Sequence, residues 1–597
     1  MARSITLKPG GRCTVPDVVV FIDVEPSVSA VPARPGSTVH KFSRAVASIC
    51  RLERGCLADK GTYELARPEM LWGLLSEFRD THKATWVFAH NLGYDLTLIG
   101  FWDWLRRSGA QLVSAVLDDP PTMVTIRWHG RLVKFVDVLN YWRLPLTDLA
   151  SATGLTLSQS SNVRGLQSTD LSSCSQHVEV IEQCIIKLIA LLSEINLCSL
   201  RPTAASLSWA TFIKSFLQTS ISVSLDERER SLARRSYFGG RSLVNASGYV
   251  KHSVTALDVN SLYPYVMQAN QYPCKVAFHK LRMRPGDLKA CLRYYDAICE
   301  CTLSGSRYPY PCRVGGRPDF VRGVSTAVLA GEELRHAADS GDIREVGETY
   351  CYYRADLFSG FVKHWYRKKC EAVAAGNRPD ALMAKLMLNC LHGKFAQRGR
   401  RWQPKHNVMS HGYYSYWWHR VAGRGAPVRC RSIAGVVESQ EDGPEPLHAF
   451  PAIAACVTAA GRVVLNQDIE YAGEHNVYYA DTDSIHTNSD GLARLSRMDR
   501  LDDEKIGHYR TVAAGDFAIY YGRQHYAVGD KFVCTSIKPT AIEVADGVYL
   551  QDAYTGVERC LEDGTLDSVQ VSQRIVDLSE RTRHAKRQSY TTGAYAH

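Results

Sequence analysis

The sequence predicts a multidomain chain of α/β plus α+β class, and three observations carry that expectation. At 597 residues the chain is too long for one hydrophobic core. Near the N-terminus two apolar runs, Val18–Ile22 and Trp86–Ala89, each lead into polar residues, as the strands of an α/β domain do. In the second half, a hairpin pattern over Val477–Ile485 follows a helical stretch that starts at Pro379.

Composition narrows the class. Hydrophobic residues at 45% and charged residues at 22% describe a soluble globular protein, and no apolar run approaches membrane-spanning length. The net charge of +10 suits a polyanionic partner, although a basic balance alone is weak support. The 18 cysteines are scattered and follow no secretory signal peptide. Cys291, Cys299, Cys301 and Cys312 form a local cluster whose spacing does not match a paired C-x-x-C zinc ribbon. They read as reduced thiols, and the expected location is cytoplasmic, with no membrane partner. Met1 to Arg12 is basic but too short to argue for organelle import.

Taken from the N-terminus, the first strand ends in Asp23-Val24-Glu25 and the second run leads to His90-Asn91-Leu92-Gly93-Tyr94-Asp95. Acids gathered at strand ends are what a two-metal hydrolytic site requires, while a structural salt bridge explains D-x-E equally well. His177–Ile186 reads as a helix. Ser236-Tyr237-Phe238-Gly239-Gly240-Arg241 is either a plain turn or a place where backbone approaches a ligand. In Ala256-Leu257-Asp258-Val259-Asn260-Ser261-Leu262-Tyr263-Pro264, Asp258 is expected at a strand end, with Pro264 stopping the ladder. Lys385, Asn389 and His392 or Gly393 fall on one helix face by their spacing. Arg398–Trp402 and Gly412–Arg420 interleave basic and aromatic residues, which suits nucleic acid, with buried hairpin aromatics as the alternative. In Tyr479-Ala480-Asp481-Thr482-Asp483-Ser484 the two aspartates face the same way if the segment stays extended. Carboxylates so placed repel unless a proton or hard cation lies between them, so the pair reads as a magnesium site; the alternative is an Asp-rich surface turn.

D-x-N-S-L-Y-P from Asp258, K-x-x-x-N-x-x-x-G-K from Lys385 and Y-x-D-T-D-S from Tyr479 resemble the three polymerase motifs of family B DNA polymerases. Their wording is similar to the protein-primed branch of bacteriophages and linear plasmids. The resemblance implies an N-terminal ribonuclease-H-like exonuclease domain followed by a right-hand polymerase of palm, fingers and thumb with two insertions. The implied bounds are 1–190 for the exonuclease-like domain, 191–270 and 447–535 for the palm, and 359–396 for the fingers. The first, terminal-protein insertion takes 271–358, the second takes 397–446, for strand displacement and processivity, and the thumb takes 536–597.

The same resemblance implies roles. Asp258 and Asp483, with Val259, hold two Mg²⁺ ions, for which Mn²⁺ substitutes, and Asp481 supports them. Tyr263, Lys369, Lys385, Asn389, His392 and Gly393 form the nucleotide site; Tyr263 excludes a 2′-hydroxyl, His392 stands where tyrosine is common, and Cys390 where serine is. Tyr237, Gly239 and Gly240 grip template DNA. Arg523 and Tyr526 support the primer strand, with Gln524 at the family's lysine position. Asp23, Glu25 and Asp95 are exonuclease metal ligands, and Asn91 and Tyr94 meet the single-stranded primer end. The third exonuclease motif, Tyr-x-x-x-Asp, departs: the register puts Val180 and Cys184 there. Either that register is wrong, or Glu182 or Asp170 substitutes, or proofreading is weakened or lost. The implied partners are DNA primer–template, dNTPs and a terminal protein that supplies the priming hydroxyl. The alternatives are a family B polymerase that extends ordinary primers and an exonuclease with a vestigial polymerase half.

Overall fold

A computed structural model of the protein describes residues 4–578 except 11–15, 33–35, 54–55, 78–84, 118–119, 156, 158–171, 196–198, 305–306, 400–401, 406–407, 411, 421–426, 442, 539 and 546. Asp170 and the Arg400–Arg401 pair lie outside the described residues. Among the described residues no helix is long and apolar enough to cross a membrane.

The N-terminal sheet is built on Val18–Ala30, Thr85–Ala89 and Arg131–Asp137, which run parallel. Val18–Ile22 is buried on both faces, as a covered parallel sheet requires. Val19 and Phe21 enter one core, and Val18, Val20 and Ile22 enter the other. The helix Ser172–Ser193 covers the first face, with Val178, Ile181 and Ile185 in that core. The long strand Thr38–Glu53 pairs antiparallel with Val18–Ala30, and its first residues, Thr38–Lys41, pair with Ser568–Val571. The C-terminal strands Ser568–Asp577, Val548–Tyr554 and Ile542–Ala545 thereby extend the N-terminal sheet.

A second, five-stranded sheet has the order Ser242–Val244, Val477–Asp481, Ser484–Thr487, Val254–Val259 and Tyr509–Gly515, all antiparallel. The helix Pro451–Ala472 is buried over most of its circumference, which its small residues Ala452, Ala454, Ala455, Ala459, Ala460 and Gly461 permit. Ser359–Ala374 and Arg378–Phe395 form a helical hairpin turned at Gly376 (φ 67°). Between 271 and 358 lies a four-stranded sheet with its own core around Leu288, Leu303, Tyr310 and Leu334. Between 397 and 446 the strands Trp402–Pro404, Val436–Gln440, Val428–Ile433 and Tyr414–His419 make another. The aromatic stretch is a hairpin strand there: Tyr414 packs on Trp102, and Trp418 stays 67% exposed.

One local expectation changes. Pro264 does not stop a strand; the ladder ends at Val259, and Pro264 sits in the first turn of the helix Leu262–Ala269, where its missing N–H costs nothing.

The helix Glu227–Ser236 leads into the Tyr237–Gly240 turn and buries Glu229 completely. Burial raises the Glu229 carboxyl from 4.5 to about 7, against the lowering effect of the Tyr352 hydroxyl, which donates to it at 2.6 Å. A folded value above the unfolded one gives stability that is complete below about pH 4.5 and is lost as pH rises through 7. Glu229→Gln keeps the shape without the charge. Its urea midpoint is expected to match the parent's near pH 5 and to exceed it at pH 8, by about 2–3 kcal/mol in stability.

Candidate active site

Asp258 ends its strand opposite Ser484, and the Val259 N–H donates to the Asp483 carbonyl at 2.7 Å. The D-T-D segment does not stay extended. One strand ends at Asp481 and the next begins at Ser484, leaving a two-residue turn with Thr482 at φ 55°. The two aspartates are therefore not presented on one strand face, and they have different surroundings. Asp481 accepts from Thr482 Oγ1 at 3.2 Å, Tyr479 OH at 3.3 Å and Gln524 Nε2 at 3.5 Å. Asp483 turns to Asp258: burial first, then the charges of Asp258 and Asp481, push its carboxyl up to about 7, with Lys385 offsetting part of the rise.

Basic residues face these acids. Arg510 donates to Asp258 at 3.1 Å from the neighbouring strand. Lys369 reaches Ser261 Oγ at 3.4 Å, and its pKa is lowered by burial and by nearby Arg510 and Lys385. Lys385, Asn389, His392 and Gly393 share the open face of Arg378–Phe395, whose other face packs through Met383, Met387, Leu388 and Leu391. The His392 ring lies 4.6 Å from the Tyr263 ring, and burial lowers its pKa to about 4, so it is neutral. Gly461 also lies against Tyr263; a Cβ there would come within 3.1 Å of the ring. Sequence reasoning missed Arg510, which no local pattern marks and only the pairing of strands brings to Asp258.

The Tyr237–Gly240 turn is fixed from below. Arg462 donates to the carbonyls of Phe238 at 2.9 Å and Gly239 at 2.8 Å, and pairs with Glu333 at 2.5 Å. The Thr482 N–H donates to the Arg241 carbonyl at 2.8 Å. Gly240 lies so close to Thr482 that a Cβ would overlap its side chain. Tyr526 packs against Tyr479 and His486, while Arg523 is exposed.

Asp258 and Asp483 suit a hard divalent cation, because magnesium is commonly held by one or two carboxylates with substrate phosphates completing the shell. Among the described residues no group of three or more His, Cys, Asp or Glu converges as a closed metal cage, and a two-carboxylate site of this kind needs none.

The N-terminal acids are arranged otherwise. Asp23 Oδ2 lies 3.0 Å from His177 Nδ1, and Glu25 accepts from Arg44 at 2.7 Å. Asp95 is wholly buried, and burial, then the charges of Asp23 and Asp137, raise its pKa well above the carboxylate range. Cys174 also meets Asp23. Asp137, not anticipated from sequence, accepts from the N–H groups of Asn91 at 3.1 Å and Leu92 at 2.9 Å and shapes their turn, where Asn91 has φ 67°. Tyr94 OH is 2.7 Å from His40. The expected register of the third motif is corrected: Val180 and Cys184 are buried in the core away from the acids, and Glu182 pairs with Lys60 and Ser48, both at 3.0 Å. His177 is the residue that the helix presents to Asp23.

The contact between turn and hairpin gives a test. Gly240→Ala forces Thr482 to move and is expected to cost about 1–3 kcal/mol of folding stability, read as a lowered urea midpoint. Thr482→Ala opens the space, so the double variant should recover part of that loss in the same titration.

A family model described as DNA polymerase type B, organellar and viral, matches residues 153–403. The DNA-directed DNA polymerase of Enterobacteria phage PRD1 is 26% identical over 322 residues, covering 52% of this chain and 53% of that protein. A probable DNA polymerase of Neurospora intermedia is 26% identical over 214 residues, 33% of this chain and 21% of its own length. The chain thus spans about half the length of the first of these relatives and less of the second. Phi29 DNA polymerase, solved with primer-template DNA and incoming nucleotide substrates, shares the fold at a TM-score of 0.62 and 15% identity, covering 94% of this chain and all of that one. Its binary complex with primer-template DNA gives 0.59 and 16%, over 86% and 87%. Over residues 153–403 the chain is similar to type B DNA polymerases of the organellar and viral kind, and its fold is similar to that of phi29 DNA polymerase.

Proposed function

We propose that the chain is a template-directed DNA polymerase that adds deoxynucleotides by two-metal nucleotidyl transfer, and that it starts synthesis from a protein primer. The observation that carries the reading is the meeting of Asp258 and Asp483 across a tight hairpin, faced by Lys369, Lys385 and Arg510.

Asp258 and Asp483, with the Val259 carbonyl as a third oxygen, would hold Mg²⁺ or Mn²⁺. When bound, the ions supply Lewis acidity at the attacking 3′-hydroxyl and offset charge on the departing pyrophosphate. Asp481, held by Tyr479, Thr482 and Gln524, fixes the hairpin that presents Asp483. Lys369, Lys385 and Arg510 bring positive charge to the triphosphate. Arg510 must release Asp258 as a cation enters; both partners are partly exposed, so that exchange is inexpensive. Tyr263, packed against His392 and Gly461, is the floor for the sugar, and its inability to retreat towards Gly461 supports exclusion of a 2′-hydroxyl. Asn389 and Gly393 lie along the same helix face as the base pair's site. Tyr237, Gly239 and Gly240 would contact template DNA, and Arg523 and Tyr526 the primer strand.

Protein priming rests on the motif wording and on the 271–358 segment, whose sheet has a core of its own on one side and joins the main core through Tyr272, Ile298, Tyr350 and Tyr352 on the other. The palm, fingers, insertion and thumb bounds given above belong to the same proposal. Joining the first nucleotide to a protein hydroxyl and extending a 3′-hydroxyl are the same attack on an α-phosphate, so one pair of acids serves both.

A 5′-labelled primer–template with Mg²⁺ and dNTPs tests the chemistry. Asp483→Asn is expected to reduce extension by at least about 10²-fold while leaving DNA binding within a few fold. Undiminished extension in that variant would sink the assignment of the acids. Label transfer from a dNTP to a co-purified protein, again lost in Asp483→Asn, would support protein priming; extension of DNA primers alone would favour an ordinary primer.

A further inference from the structure

The fold implies a second metal site, the exonuclease pair of ions, and the residues present do not fit it. We infer that the N-terminal half of this chain is a frame rather than a metal-dependent nuclease, its acids held by His177 and Arg44 where divalent ions would otherwise lie. Two-metal hydrolysis needs several hard oxygen donors converging on open space. Here the helix Ser172–Ser193 contributes an imidazole and a thiol, His177 and Cys174, and no carboxylate of that helix reaches the acids among the described residues. Imidazole can ligate a softer cation, but the His177 nitrogen that faces the site is already turned to Asp23 at 3.0 Å.

The pairing is more sheltered than that in the polymerase site. Asp23 and His177 are 14% and 21% exposed, and Glu25 and Arg44 18% and 23%, against 30% and 46% for Asp258 and Arg510. Displacing two sheltered pairs at once costs more than opening one solvated pair. Asp483 remains half-buried and open to a cation in the polymerase site, whereas Asp23 and Glu25 each have a basic partner and the third acid, Asp95, is buried beneath the surface at 3% exposure.

A frame explains why the half persists without cutting. The second insertion rests on it through Tyr414 OH to the Trp102 carbonyl at 2.5 Å and Arg431 to the Ala115 carbonyl at 3.3 Å. Arg431 also pairs with Glu558 at 3.3 Å, and the C-terminal strands continue the N-terminal sheet through Thr38–Lys41. Three parts of the molecule are thus mounted on one sheet.

The test uses full-length protein and a labelled primer with a mismatched 3′ end, with Mg²⁺ or Mn²⁺ and no dNTPs. The wild-type chain is expected to shorten the primer no more than twofold faster than Asp23→Ala. A larger excess that Asp23→Ala removes overturns the inference. The second readout is Mn²⁺ binding, by electron paramagnetic resonance, to Asp258→Asn/Asp483→Asn. Absence of bound Mn²⁺ in that variant supports the inference, and stoichiometric binding that Asp23→Ala abolishes overturns it. Adding dNTPs to the wild-type reaction with a matched primer checks polymerisation separately, so failure there would count against the proposed function while the excision and Mn²⁺ results still decide this one.

Discussion

The ion pair between Arg462 and Glu333 is the interaction on which the part of the molecule around the five-stranded sheet depends. Each side chain is 1% exposed, so each charge would be very costly alone. Together they are satisfied: the guanidinium makes two charge-assisted bonds to the carboxylate and gives two further donors to the Phe238 and Gly239 carbonyls. Glu333 comes from the 271–358 segment, Arg462 from the long buried helix, and the carbonyls from the turn that precedes the strand bearing Asp258. Three stretches far apart in sequence therefore share one buried charge. One turn of the same helix further on, Asn466 accepts from Arg241, and one residue before Arg462, Gly461 lies against Tyr263. The position of Tyr263 and the turn beside the D-T-D hairpin are set by one rigid rod.

The two clusters of acids differ in their partners, although each buries one carboxyl beside like charges, Asp483 in one and Asp95 in the other. Asp483 is buried beside like charges, which raises its affinity for a proton and, equally, for a metal. Asp23 and Glu25 have protein partners in hydrogen-bond reach. Acids at strand ends are a common product of α/β folds; what they do depends on the element that packs across them. At the five-stranded sheet that element is a helical hairpin bearing lysines at a distance, and at the N-terminal sheet it is a helix bearing a histidine at contact.

Much of this was legible in the sequence where function is written locally. Asp258, the D-T-D hairpin and the Lys385–Gly393 face are short-range patterns, and the structure brings them together. Contacts made by sequence-distant residues were not legible. Arg510 reaches Asp258 only because two strands pair, and nothing around Arg462 announces that it closes a buried triangle. The register expected over Val180 and Cys184 does not meet the acids: His177 lies at Asp23, and Cys184, seven residues on, is two turns deeper in the core. The extended reading of D-T-D failed because a tight turn can place both acids at its tip, where strand alternation no longer applies.

The strand that starts at Thr38 also carries a temporal consequence. Its first residues find their sheet partners at Ser568–Val571, about 530 residues later. On a ribosome adding roughly 5–20 residues per second, that edge would stay unpaired for about half a minute to two minutes after it emerged. An unpaired edge is a template for other chains. The N-terminal sheet is therefore the first to be made and among the last to be finished, and the nascent chain carries an open seam until its closing strands arrive.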